Sequence, residues 1–198
     1  MDVEFFISRW TAREGGAERA NYQMFLSELC DVLGVDRPEP AGAERAHNDY
    51  VFERAVRPRS SDSLTAPKRI DLYKKGAFIL EAKQSRLPGA KNAIPNRLSL
   101  LSDQAPEDAE TLGQRSRGPA WDVMIQNARK QAEGYVFLLD ADPPAPPFVS
   151  TCDVGNCLEF FADFTGTGRA YNQYPDRKGF RIFMEDLRHA DVRARLAT

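Results

Sequence analysis

The chain has 198 residues, 27 of them basic and 29 acidic, for a formal net charge of −2. That length suits one domain, and the near-neutral balance excludes a wholly basic, histone-like binder of nucleic acid. With 42% hydrophobic and 10% aromatic residues the chain can bury a core, which excludes intrinsic disorder as its default state.

No apolar run approaches the roughly 18–20 residues needed to cross a bilayer, and the opening Met1-Asp2-Val3-Glu4 lacks the basic and apolar regions of a signal peptide. The expectation is a cytoplasmic protein with no membrane partner. Cys30, Cys152 and Cys157 form an odd set without zinc-type spacing, so no disulfide is expected.

In chain order, residues 17–34 follow Gly15-Gly16 and place Tyr22, Phe25, Leu26, Leu29 and Leu33 at helical spacing, with Gly34 as the stop. Asp36 to Ala46 reads as a loop. Residues 48–84 hold three strand candidates: Tyr50–Val56, Lys68–Tyr73 and Ala77–Gln84, the last two joined across Lys74-Lys75-Gly76 as a hairpin. Residues 86–117 are long, polar and aperiodic. Gly118-Pro119 then opens a second helix over 118–138, with proline in its first turn. The stretch 147–164 contains a strand pair around the turn dipeptide Gly155-Asn156, and Phe180–Leu196 carries a last short helix. This alternation is an α/β arrangement without internal repeats.

The charge is unevenly placed. Residues 54–97 contain eleven basic side chains against three acidic ones, a local +8 that leaves −10 for the rest of a chain whose total is −2. Such a zone fits either a surface facing a polyanion or a solvated Lys/Arg-rich loop.

The pattern that carries chemistry is Asp71, then Glu81 and Lys83. Side chains alternate along a strand, so Glu81 and Lys83 share one face while Phe78, Leu80 and Ala82 take the other. A turn through Lys75-Gly76-Ala77 sets Asp71 directly opposite Glu81, and a turn through Lys74-Lys75-Gly76 makes them diagonal neighbours. Either way two carboxylates meet, and they repel unless a cation or a shared proton offsets them. Oxygen-only ligands favour a hard cation such as Mg²⁺. Lys83 beside it would orient or deprotonate water and neutralise charge growing on a phosphate, so the set reads as a phosphodiester hydrolysis site.

On the second helix, Trp121, Met124, Ala128, Gln131 and Tyr135 recur at helical spacing, and Gln131 interrupts this apolar stripe. A buried amide there needs partners, which the Glu81/Lys83 strand would supply; the alternative is that Gln131 sits at the stripe's edge in water, and its pairing with Tyr135 at i, i+4 beside the Asp-Glu-Lys set favours the first. Glu18 is in phase with Tyr22, Phe25 and Leu29, as a third acid near the metal or as favourable charge in a helix's first turn.

Ile70-Asp71, Ile79-Leu80-Glu81-Ala82-Lys83 and Gln131-x-x-x-Tyr135 together resemble the PD-(D/E)xK nucleases in their Gln-x-x-x-Tyr variant. Phe6-Ile7-Ser8-Arg9-Trp10, Glu18–Gln23, Leu29–Gly34, Tyr171–Pro175 and Glu185–Arg188 further resemble the N-terminal region of single-chain, MmeI-like type IIL restriction-modification enzymes. The resemblance covers nearly all of the chain. It implies a single nuclease-like domain over 1–198 with a restriction-endonuclease-like fold, a central mixed β-sheet flanked by helices. Residues 180–198 would begin a connector to a methyltransferase part.

It also implies Mg²⁺, with Mn²⁺ as substitute, held by Asp71, Glu81 and the Ala82 carbonyl. Lys83 would serve the attacking water, Gln131 and Tyr135 would support it, and double-stranded DNA would be the substrate. Methyltransferase and target-recognition domains of the same parent chain would be the partners, and S-adenosylmethionine would bind there. The long 86–117 connection and Pro67, four residues before Asp71, depart from the family pattern. The rival reading is a catalytically silent DNA-binding or scaffolding domain.

Two segments imitate methyltransferase motifs. Asp142-Pro143-Pro144-Ala145 lacks the aromatic residue that stacks on a flipped base, and Asp163-Phe164-Thr165-Gly166-Thr167-Gly168 reads as a glycine turn after a strand. The residues between them are too few for a methyltransferase sheet. His47 and His189 stand in unrelated contexts and are assigned no chemistry.

Overall fold

Two helices precede the sheet. The first, α1 (Val3–Thr11), is capped by the Asp2 carboxylate, which accepts from the Phe5 N–H at 2.9 Å and so satisfies one of the helix's unpaired donors. It buries Phe6, Ile7 and Trp10. This helix is not among the elements expected above, although Val3, Phe6, Ile7 and Trp10 fall at the i, i+3, i+4, i+7 spacing of an amphipathic helix; the sequence carries the signal, about two and a half turns long. The second, α2 (Glu18–Leu33), matches the expected 17–34 closely. Gly34, at φ 70°, ends it, and the Val35 N–H reaches back to the Cys30 carbonyl at 3.0 Å, a glycine-terminated cap.

The computed structural model describes residues 1–12, 18–42, 48–57, 67–85, 118–139 and 144–198. The expected loop 86–117, His47, Asp142 and the side chain of Glu18 lie outside the described residues.

Strands β1 (Tyr50–Val56), β2 (Lys68–Lys74) and β3 (Phe78–Lys83) form an antiparallel meander. Helix α3 (Pro119–Val136), with Gly118 as its N-cap, then leads to β4 (Phe148–Asp153), which runs parallel to β3. Strand β5 (Cys157–Ala162) returns antiparallel, and both β6 (Asn172–Gln173) and β7 (Arg181–Phe183) pair with it. The result is a mixed α/β sheet ordered β1-β2-β3-β4-β5-β6, with β7 joined to β5. It is flanked by helices, as expected.

Alternation along the strands divides the core. Leu72, Leu80, Ala82, Cys152 and Leu158 pack beneath α1 and α2, whereas Tyr73, Ile79, Val149 and Phe161 pack with Ala132, Tyr135 and Val136 of α3. The tail does more than the single short helix expected of it. Strand β7, a 3₁₀ turn over Met184–Arg188 and α4 (Ala190–Ala197) follow one another, and Met184, Leu187 and Val192 sit in the core beside α1. The stretch read as the start of a connector is thus part of the domain's own core.

Both expected turns are present. Gly155 between β4 and β5 adopts φ 77°, and a Cβ there would stand 2.4 Å from the Trp10 carbonyl oxygen, so backbone meets backbone where only glycine fits. The Asp163–Gly168 stretch is a turn organised by its own carboxylate. Asp163 accepts from the Thr165 N–H at 2.9 Å, the Thr165 hydroxyl, the Thr167 hydroxyl at 3.0 Å, and the Arg169 and Ala170 N–H groups.

Candidate active site

The hairpin register decides where the two carboxylates meet. Leu72 pairs with Leu80, Tyr73 with Ile79 and Lys74 with Phe78, so the turn runs through Lys75-Gly76-Ala77, with Gly76 at φ 68°. Continued by one residue, that register sets Asp71 opposite Glu81, the first of the two arrangements expected. The Asp71 carboxylate turns inward and accepts from the Ala82 N–H at 2.8 Å, replacing a ladder bond.

Glu81 is only 2% exposed. The Lys83 ammonium donates to its Oε1 at 2.6 Å and to the Ala82 carbonyl at 3.0 Å. With Glu81 buried and the Lys83 side chain 23% exposed, the pair is stronger than one on the open surface. It also bears on the metal that the resemblance implies. Glu81 Oε1 and the Ala82 carbonyl already converge on one positive charge, and hard oxygen donors with Asp71 alongside are the donor set Mg²⁺ takes. These residues fit the ion. Among the described residues, no group of three or more His, Cys, Asp and Glu side chains gathers as a metal cluster.

Helix α3 brings its pair to the same side. The Gln131 amide donates to the Tyr135 hydroxyl at 2.8 Å, and Tyr135 is buried. Burial pushes the Tyr135 phenol above its ordinary range; the Gln131 bond pulls it down, the charges of Glu81 and Asp71 raise it and Lys83 lowers it. The fields of all three strand residues therefore reach this hydroxyl. Of the two readings of Gln131 the favoured one needs correcting: the side chain is exposed at the edge of the stripe, not an amide buried inside it. The buried line runs through Trp121, Ile125, Ala128, Ala132 and Tyr135, and position 131 falls one step off its centre because the helix repeats every 3.6 residues. Glu18 starts α2.

Three neighbours escaped the sequence reading. Glu53 stands opposite Asp71, between the pairs Phe52↔Leu72 and Arg54↔Ile70, at a left-handed φ of 55° that costs an ordinary residue about 1 kcal/mol or more. Here the facing changes: Phe52 and Leu72 pack towards α2, whereas Val56 and Ile70 pack in the cluster beneath α3. The second neighbour, Tyr22 of α2, donates to Glu53 Oε1 at 2.5 Å. Burial and the Glu53 bond push its phenol well above the usual range, and the charge of Asp71 adds to the rise. The third, Asp153, pairs with Lys83 across β3 and β4 and is fully buried. Glu53 had one signal in the sequence, a charged residue amid an apolar strand.

The basic zone is divided by the fold. Lys74 lies over the Tyr50 ring and Lys75 pairs with Asp49, both at the hairpin turn. Arg54, over the Tyr73 ring, and Arg69, 3.8 Å from Glu53, lie on β1 and β2 within two residues of the Glu53–Asp71 level.

The fold and site define an α/β domain with a mixed sheet flanked by helices, in which adjacent strands present two carboxylates and a lysine. Residues 1–197 match the family model described as MmeI, N-terminal domain. The chain belongs to this family, the N-terminal domain of MmeI-like type IIL restriction enzymes. No curated protein and no solved structure matched the chain. Among the described residues, no helix is long and apolar enough to cross a membrane.

Proposed function

We propose that this chain is a Mg²⁺-dependent DNA endonuclease module of PD-(D/E)xK type within a restriction-modification enzyme. The observation that carries the reading is the meeting of Asp71 and Glu81 across one hairpin with the Lys83 ammonium 2.6 Å from Glu81. A module with no catalytic duty gains nothing from two carboxylates that repel one another on adjacent strands.

Asp71, Glu81 and the Ala82 carbonyl would hold the ion, Mg²⁺ or Mn²⁺, which supplies Lewis acidity toward a phosphodiester and lowers the pKa of bound water. Lys83, anchored by Glu81 and Ala82, orients the attacking water and faces the charge that grows on the phosphate oxygens. Water adds to phosphorus and the 3′ oxygen leaves with a proton, giving 5′-phosphate and 3′-hydroxyl ends. Gln131 and Tyr135 support the lysine from α3. Arg54 and Arg69 lie where the backbone of double-stranded DNA would approach. Methylation with S-adenosylmethionine, and target recognition, belong to other domains of such an enzyme.

The test is supercoiled plasmid with Mg²⁺, using the intact protein that carries this chain. Wild type cuts, and Asp71→Asn and Lys83→Ala each slow cutting by roughly 10²–10³-fold, with Mn²⁺ affinity lowered in Asp71→Asn. Equal cutting with Lys83 removed overturns the mechanism, and a wild type that binds DNA without cutting it supports the scaffolding reading instead.

A further inference from the structure

Asp153 ends β4 with its carboxylate fully buried, and it takes no part in the chemistry above. It accepts four hydrogen bonds: the Ser85 N–H at 2.7 Å, the Ser85 hydroxyl at 2.7 Å, the Trp121 indole N–H at 2.7 Å and the Asn156 amide at 2.8 Å. All four donors are neutral. Bonds to a buried anion are short and strong, and each lost donor leaves charge undercompensated in a dry interior.

The donors come from places that matter to the site. Ser85 lies two residues beyond Lys83, and the next backbone bond, Val154 N–H to the Lys83 carbonyl at 2.8 Å, secures the same strand end. Trp121 lies in the first turn of α3, ten residues before Gln131. Asn156 belongs to the β4–β5 turn and holds the carboxylate from behind.

We propose that Asp153 is the positioning residue that sets the distance between the two halves of the site, the Glu81–Lys83 strand and the Gln131–Tyr135 helix. It acts through Ser85 and Trp121 and touches no substrate. Its charge is what permits four donors to converge. An asparagine would present its own NH₂ to one or more of them, so Asp153→Asn breaks the link while nearly preserving shape. This rests on the nuclease reading, because the distance matters to a reaction only if one takes place between these elements.

Two variants each remove a single donor, Ser85→Ala with little change in packing and Trp121→Phe with a smaller ring in the core. Ser85→Ala deletes one hydroxyl, and Trp121→Phe deletes the indole N–H while keeping an aromatic ring under the Arg181 guanidinium, now 4.7 Å from the ring centre. In Mg²⁺-dependent plasmid cutting by the intact protein, assayed well below the lowered melting midpoint of each variant so that all of it is folded, each slows turnover by about tenfold at saturating DNA, with KM near wild type. Ser85→Thr, which restores the hydroxyl, recovers the rate. Turnover that stays at the wild-type value, or falls only in step with the folded fraction, overturns the proposal.

If wild type itself cuts nothing, the nuclease reading fails by itself, and hydrogen exchange in the same variants decides the positioning claim. Faster exchange at both Glu81–Lys83 and Gln131–Tyr135, with global stability kept, supports the bridge; unchanged protection in either segment overturns it.

Discussion

Asp163, just past the end of β5, and the Asp71–Glu81 pair, inside β2 and β3, are carboxylates that the folded chain treats in opposite ways. Asp163 is surrounded by donors from its own next seven residues, three backbone N–H groups and two threonine hydroxyls. Those bonds, the Thr165 hydroxyl foremost, hold its carboxyl well below the usual range. Asp71 and Glu81 come together from different strands, face one another, and have an ammonium set against Glu81. A carboxylate surrounded by fixed donors is a structural part. Two carboxylates facing each other across a hairpin raise each other's cost and invite a cation.

A third buried carboxylate, Glu159, tests the first half of that contrast and carries the largest expected effect. It is 3% exposed, accepts from Arg181 Nε at 2.7 Å and from the Thr151 hydroxyl at 3.1 Å, and stands across Thr151 from Glu81. Arg181→Ala strands this charge in the interior, so chemical denaturation should show a loss of about 3–5 kcal/mol. A loss under about 1 kcal/mol would mean that Glu159 does not need its partner, and the distinction would break.

Acid sharpens the contrast next. Because the folded pKa of Asp163 is depressed, its contribution to stability is complete above the unfolded carboxylate value, about 4, and is lost as pH falls from there through the folded value. Melting midpoints measured downward from pH 5 should therefore fall in wild type, and fall less steeply in Asp163→Asn, which starts lower. Identical slopes would show that the turn does not hold the charged form.

The smallest effect lies on the other side. Tyr22→Phe removes the hydroxyl that donates to Glu53 and accepts from the Gln23 amide at 3.1 Å. Unfolding should become easier by about 1 kcal/mol, and Mn²⁺ titration should show weaker binding, since Tyr22 braces the strand opposite Asp71. Unchanged metal affinity would separate Glu53 from the site.

Much of this was legible from the residues, for reasons that can be named. The hairpin, the Gly155-Asn156 turn and α2 rest on alternation, glycine conformations and a long apolar stripe, all set by neighbours in the chain. The Asp71, Glu81 and Lys83 set was legible because strand alternation converts spacing into facing. Helix α1 was legible too, in Val3, Phe6, Ile7 and Trp10 at helical spacing, but its place was not: that is fixed by Gly155, where a Cβ would stand against the Trp10 carbonyl. Gln131 was misjudged as buried because spacing alone left two neighbouring lines on α3 almost equally apolar, and packing against β3 and β4 chose between them.

The sequence by itself therefore determined which strands alternate, where the chain turns, and that two carboxylates and a lysine share one hairpin. Those properties depend on backbone geometry within a few residues. Only the tertiary structure decided that Glu53 and Tyr22 stand beside Asp71, that β7 supplies Arg181 to Glu159, and that Asp153 ties Ser85 to Trp121. The hydrogen bonds that make these contacts join residues 22, 31, 32 and 68 positions apart in the chain, and no local pattern records a contact that forms only when the sheet closes.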